Sequence, residues 1–425
     1  MTLAGMPLGS LLTFPVTVVS FIILLSLIVF IHEYGHFSVA RALGVKVDVF
    51  SIGFGRPIWR WTDKHGTEWR IALLPLGGFV KFFGDLNAAS QASPETAEAA
   101  AEGHPVTTQF PRPGHEDEVA HGMTAEERAV CFHFKPRWVR AAVVAAGPFA
   151  NFVLAVVIFT VMFMTFGRGN LEPIVGGVTP QSAAEVAGIA PGDRIVSING
   201  ARITSFNALS DTVLISGGAP LSVEIDRAGE KITVTVSPTR VEAEDRYGNK
   251  IEKWLLGVSS DPDAYEYISY GFFGALREAV GEVGRILVLT VKFIGQLVVG
   301  REDASQLGGP IKMAQYAGQS VMSGFDEGDE TGREPPSVFM KLRASLVDFF
   351  SLAAVVSVSI GFLNLLPVPV LDGGHLLYYG YEAVAGKPLG ARAQAIGFRV
   401  GIVLLASLMI FVTWNDINNL IASFS

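Results

Sequence analysis

Residues 1–31 carry no Asp, Glu, Lys or Arg, and Phe14 to Ile31 is almost wholly apolar. About 20 apolar residues in a helix cross the hydrocarbon core of a bilayer, so the chain is expected to enter a membrane at once. A cleaved leader would have a basic start and a small-residue cleavage site. The run has neither and leads instead into His32-Glu33-Tyr34-Gly35-His36. Further apolar runs lie at Ala141–Phe166, Phe349–Leu371 and Val400–Trp414, the last lengthened by Ala395 to Phe398 if Arg399 snorkels. Ile286 to Val299 is weaker: Lys292 at its centre, with Arg285 and Arg301 at its flanks, fits a helix lying in the interface. The expected fold class is a polytopic α-helical membrane protein of about four transmembrane helices with an inserted β-rich domain.

Composition agrees. Half the residues are hydrophobic, only 17% are charged, and the mean hydropathy is +0.40. The net charge of −8 argues against nucleic acid as a partner. The single cysteine, Cys131, allows neither an internal disulfide nor a cysteine metal site, so any metal must be held by His, Asp or Glu.

Lys and Arg set orientation. Arg41, Lys46, Arg56, Arg60, Lys64, Arg70 and Lys81, then Lys135, Arg137 and Arg140, mark the segment after the first span as cytoplasmic. Both termini and the segment after the second span are then extracytoplasmic. That outer segment, 172–260, alternates like half-buried strands at Ile195–Ile198, Leu221–Ile225 and Ile232–Val236, with turns at Pro191–Asp193, Asn199–Gly200 and Ala228–Glu230. Residues 85–134 are rich in Ala, Glu, Pro and Gly and read as a mobile cytoplasmic insert. Its His104, His115 and His121 lack ligand spacing on an ordered element. The expected organisation is thus 1–84 (first span and a following hairpin), 85–134 (insert), 135–168 (second span), 172–260 (β-rich domain), 261–345 (interfacial helices and loop) and 346–425 (third and fourth spans).

The chemistry concentrates at His32–His36. Residues four apart share a helix face, so both imidazoles can point at one zinc ion, with Glu33 beside them as general base. Catalytic zinc takes three protein ligands and leaves one position open. The third candidate is Asp372, in Asn364-Leu-Leu-Pro-Val-Pro-Val-Leu-Asp-Gly-Gly-His375. Pro367 and Pro369 break the helix, and irregular backbone at membrane depth is tolerated only where it is buried in protein or lines a wet cavity. Asp372 could equally be the N-cap of the next helix. His375 stands outside the primary set.

These stretches together resemble the site-2 protease family, in particular its RseP-type regulated intramembrane proteases, and the resemblance covers nearly the whole chain. It implies Zn2+ held by His32, His36 and Asp372, with Glu33 as catalytic base. Gly147-Pro-Phe-Ala-Asn151 resembles the family's Gly-Pro-x-x-Asn element, which implies a substrate-positioning role for Asn151; close helix packing is the plainer alternative. Leu73-Leu-Pro-Leu-Gly-Gly-Phe-Val-Lys81 resembles a membrane-dipping β-hairpin, which implies that Gly77 and Gly78 meet substrate; an ordinary loop clipped to the membrane is the alternative. Asn364 is implied to help hold the substrate backbone. Val175 to Ile195 resembles a bacterial PDZ domain, present once, which either captures an extended peptide or excludes bulky partners by size. The implied function is intramembrane cleavage of single-span proteins after ectodomain trimming, such as anti-sigma factors or signal-peptide remnants. The implied site is a bacterial inner membrane.

Overall fold

The computed structural model describes residues 8–84, 124–244, 250–261, 264–301, 304, 307–323 and 337–422. The insert expected at 85–134 lies outside the described residues up to 123, His104, His115 and His121 included. The chain divides into two compact units, Met1–Ala155 with Gly309–Ser425, and Val156–Gly308.

The first unit begins with α1, Leu8–Ala42. At 1.5 Å per residue this helix is about 50 Å long, against a bilayer core of about 30 Å. It therefore continues past the apolar run that ends at Ile31, and His32–His36 lie inside it. Strands β1 (Val47–Thr62) and β2 (Glu68–Phe82) form an antiparallel hairpin. Its turn is fixed by Asp63, whose carboxylate accepts from the backbone N–H of His65 and Thr67, from Trp69 Nε1 and from Arg41. The hairpin is bent. Pro57–Thr62 pair with Glu68–Ala72, while Val49–Ile52 have partners on both sides, Gly78–Lys81 and Glu68–Ile71. Leu73–Lys81, which resembles a membrane-dipping β-hairpin, forms the later part of β2, and Ala72–Gly78 carries the chain from one side of Val49–Ile52 to the other.

Thr124 and Glu127 form a capping box that starts α2, Ala125–Val130. Phe132 follows, buried and stacked on Phe82 at 4.8 Å between centroids. The end of the expected insert, 124–134, is thus part of the folded unit, because it supplies core. Helix α3, Arg137–Thr165, carries Pro148 in its interior.

The second unit is β-rich. Its elements are β3 (Arg168–Leu171), β4 (Val175–Val178), α4 (Ala183–Val186), β5 (Arg194–Ile198), β6 (Ala201–Arg202), α5 (Phe206–Leu214), β7 (Leu221–Arg227), β8 (Glu230–Val236), β9 (Thr239–Glu244), β10 (Lys250–Leu255), β11 (Val258–Ser260) and β12 (Tyr265–Ile268). Strands β6-β5-β7-β8 form one sheet. Alternation puts Leu221, Val223 and Ile225 of β7 into a core with Ile195, Ile198, Leu209 and Val213. The Asn199–Gly200 turn joins β5 to β6 with both residues at positive φ, as a tight hairpin requires. Helix α6, Phe272–Val298, closes the unit. It buries Ala275, Ala279, Val283 and Ile286 along one face, and it contains the segment expected to lie in the interface.

The first unit resumes with α7 (Pro310–Met322), α8 (Val338–Asn364), α9 (Asp372–Ala385) and α10 (Ala391–Ala422). Among the described residues, four helices are long and apolar enough to cross a membrane: Phe14–Ala42, Arg137–Thr165, Val338–Asn364 and Arg392–Ile421. The third span ends at Asn364 rather than Leu371, because Pro367 and Pro369 cannot supply the backbone donors that a continuing helix needs. Helix α7 packs among α1, α8 and α10. Its N-terminus is capped from α10: the backbone N–H groups of Gly309, Ile311 and Lys312 donate to the Asp416 carboxylate at 2.8, 2.9 and 3.1 Å.

Candidate metal centre

α1 presents His32 and His36 on one face, one turn apart. α3 lies against that face without spacing. A methyl group on Gly35 would run into the Ala146 carbonyl oxygen, and one on Gly147 would run into the His36 ring. Two glycines, one from each helix, therefore set how closely the histidines approach α3. The His36 Nδ1–H donates to the backbone carbonyl of Val143 at 2.8 Å. A carbonyl only accepts, so in the neutral ring Nε2 is left with its lone pair.

After α8 ends, the chain turns through 365–371 and re-enters a helix at Asp372. The N-cap is Leu371, and Asp372 makes no capping bond, so the N-cap alternative for its side chain falls away. Gly373 sits directly against the carbonyls of Leu365 and Leu366, a fit that a side chain would block. The turn thereby aims the Asp372 carboxylate at the histidines. Its Oδ2 lies 3.2 Å from His32 Nε2 and 3.5 Å from His36 Nε2, and the two Nε2 atoms are 3.3 Å apart. Asp372 Oδ2 is buried, and no hydrogen bond to it satisfies it among the described residues.

A tetrahedral zinc with ligand bonds of about 2.0–2.2 Å has ligand–ligand edges of about 3.3–3.6 Å. The three separations match those edges, and the donor set, two imidazole nitrogens and one carboxylate, is one that zinc uses. Among the described residues this is the group of His, Cys, Asp and Glu side chains close enough to hold a metal ion. His32, Glu33, His36 and Asp372 are all buried. Buried charge of this kind is costly unless it is paired or coordinated.

Glu33 faces the same space, with its carboxylate toward the backbone of Val80 in β2. Gly78 lies beside it; a methyl group there would be 3.2 Å from Glu33 Cγ. Gly77 packs on the Phe54 ring. Of the residues expected to meet substrate, Gly78 therefore borders the site. Asn364 is half-buried at the last turn of α8. Asn151 is 0% exposed, and its side-chain nitrogen lies 3.2 Å from His32 Nδ1. His375 sits one turn along α9, edge-on to Tyr378, outside the metal group.

Sequence reading missed three contributors. Val143 acts through its carbonyl and leaves no side-chain signal. Gly35 was legible only as a variable position of the His-Glu-x-x-His pattern. Ser357 donates to the Asn151 carbonyl at 2.9 Å, and a hydroxyl in an apolar span was a usable sign of it.

The sequence pattern of the Peptidase family M50 matches residues 20–408. The chain belongs to peptidase family M50. It is thus a metalloprotease of the site-2 protease type. This M50 chain is 42% identical over 406 residues to a protein of Agrobacterium fabrum named as a zinc metalloprotease, covering 95% of this chain and 96% of the other. It is 38% identical over 406 residues to the metalloprotease MmpA of Caulobacter vibrioides, again covering 95% and 96%. A similarly named protein of Rhizobium meliloti is 40% identical over 404 residues, covering 95% and 96%.

Proposed function

We propose that this M50 protease is a zinc endopeptidase that hydrolyses a peptide bond within the transmembrane segment of single-span proteins. His32, His36 and Asp372 hold the metal, and Glu33 is the general base. The observation that carries the reading is the convergence of two imidazole nitrogens and an unsatisfied carboxylate oxygen at tetrahedral-edge distances, inside a bundle of apolar helices. Zinc bound there lowers the pKa of water and polarises a carbonyl. Glu33 takes the proton from the attacking water and delivers it to the leaving amine. Burial of Glu33 and its neighbours limits competing water.

A transmembrane helix hides its backbone bonds, so substrate must unwind locally before it can be cut. Gly78–Phe82 pair with β1 along one edge, and no described strand pairs along the other. That edge borders Glu33 and suits an extended substrate added as a strand, with Gly77 and Gly78 letting β2 lie close on Phe54 and Glu33 so that substrate is presented to the site, and Asn364 holding the substrate backbone. The hairpin exposes Ile58, Trp59, Trp61, Leu73 and Leu74, and its sequence carries Arg56 and Arg60 as well. Aromatic rings and basic groups together suit a bilayer interface. The β-rich unit is read as one PDZ domain that limits access to substrates with trimmed ectodomains. The assignment is a bacterial inner membrane protein with the site toward the cytoplasm and both termini and the β-rich unit outside.

Metal content tests the ligand set. Purified wild type should hold one zinc per chain. His32→Ala, His36→Ala and Asp372→Ala should each lose it, while Glu33→Gln keeps it. Full zinc occupancy in all three ligand variants would refute the assignment.

A further inference from the structure

We propose that Asn151 is a positioning residue that holds His32 in the tautomer needed to ligate zinc, by accepting a hydrogen bond from His32 Nδ1–H through its side-chain oxygen. This rests on the metal-site reading above and moves Asn151 from the substrate to the metal. Asn151 is wholly buried in α3, and Gly361 of α8 leaves room for it, with a methyl group there falling 3.2 Å from Asn151 Cβ. Ser357 Oγ donates to its backbone carbonyl at 2.9 Å, which ties α8 to α3 at this level. A substrate chain has no exposed atom of Asn151 to meet.

The amide shows two linked inconsistencies. Its nitrogen lies 3.2 Å from His32 Nδ1, while its Oδ1 is buried without a hydrogen-bond partner among the described residues. With Nδ2–H toward the ring, Nδ1 would be the acceptor and the ring proton would sit on Nε2. That Nε2 is the atom facing Asp372 Oδ2 and His36 Nε2 at 3.2 and 3.3 Å, and a protonated nitrogen cannot ligate. Oxygen and nitrogen of a side-chain amide are nearly isosteric, and their assignment follows from the network. Rotating the amide by half a turn repairs both faults: Oδ1 gains a donor, Nδ1 carries the proton, and Nε2 presents its lone pair. His36 is already held this way, its Nδ1–H on the Val143 carbonyl. Both ligands would then be oriented by α3, one through a backbone carbonyl and the other through a side-chain oxygen. Partners of this kind typically govern metal affinity or activity by about 10–100-fold.

The test is zinc affinity by chelator competition on the full-length protein in detergent, with kcat and KM measured alongside. Asn151→Ala should weaken zinc binding by about 10–100-fold and lower kcat at subsaturating zinc, with KM unchanged. Asn151→Asp offers only acceptors at the same place and should stay close to wild type. The proposal is overturned if Asn151→Ala keeps wild-type zinc affinity, if the loss appears in KM alone, or if Asn151→Asp loses zinc as badly as Asn151→Ala. Should the Ala variant fail to fold, the Asp variant decides alone. Zinc content that ignores His32→Ala would sink the site reading itself, a separate outcome from failure at Asn151.

Discussion

Gly147 shows how much a single hydrogen atom can decide. Its Cα packs on the imidazole of His36, so a methyl group there collides with the ring carrying the ligand nitrogen. Gly147→Ala should weaken zinc binding at least about 10-fold, since second-sphere distortions of a ligand cost that much; wild-type affinity by chelator competition would contradict this. The motif containing Gly147 was legible as a pattern, but the pattern was open between helix packing and substrate positioning, because the ring it touches is over a hundred residues away in sequence. Asn151, in the same motif, was expected at the substrate for the same reason: a motif names residues, not their partners. Asp63 makes a residue-scale prediction of another kind. Burial would raise its pKa, but backbone donors from His65 and Thr67, the Trp69 indole and Arg41 outweigh it and hold the carboxyl at about 2, below its ordinary 3.8. A depressed folded-state pKa gives stability that is full above about pH 4 and is lost as pH falls through about 2, reduced by solvent screening to about 1 kcal/mol. Melting in detergent should therefore separate wild type from Asp63→Ala at pH 6 and bring them together as the pH approaches 2. A gap that is constant with pH would contradict the role given to the charge.

At the scale of elements, the sequence exposed what local chemistry decides. Pro367 and Pro369 stop α8, the Asn199–Gly200 pair closes β5 onto β6, and period-two alternation marks β7 and β8. It hid what distant partners decide. α1 runs on to Ala42 although its most apolar stretch ends at Ile31, because Phe37 and Ala40 find a core with Phe50 and Val143. The bent hairpin pairs Val49–Ile52 on both edges, which no window of the sequence announces. The α7 cap is of the same kind. Asp416 lies near the end of the last span and takes three backbone donors from the start of α7. Removing it leaves the buried Gly309 N–H and the part-buried N–H groups of Ile311 and Lys312 without that acceptor, at about 1–3 kcal/mol for an unsatisfied buried group. Asp416→Ala should lower stability on that order in denaturant or thermal unfolding, with zinc affinity little changed. An unchanged midpoint would show that water or another group takes over the cap.

At the scale of the whole molecule, the chain buries His32, Glu33 and His36 on an apolar helix, brings Asp372 to them from α9, and inserts a β-rich unit in sequence between the second and third apolar helices. The helices, the β-rich unit and the zinc donor set were legible because bilayer length, strand alternation and ligand spacing are strong, separable signals. The bent pairing that sets Gly78 beside Glu33 was not, since it depends on residues distant in sequence. The most direct test is cleavage by the purified chain of a single-span substrate with its outer portion removed, beside the same substrate with a folded ectodomain and beside the Glu33→Gln enzyme. An intramembrane zinc protease with Glu33 as base cuts within the span of the trimmed substrate, cuts the intact one little or not at all, and loses at least about 10²-fold in rate in Glu33→Gln with its zinc retained. Equal cleavage by wild type and Glu33→Gln, or a cut outside the span, would contradict that assignment.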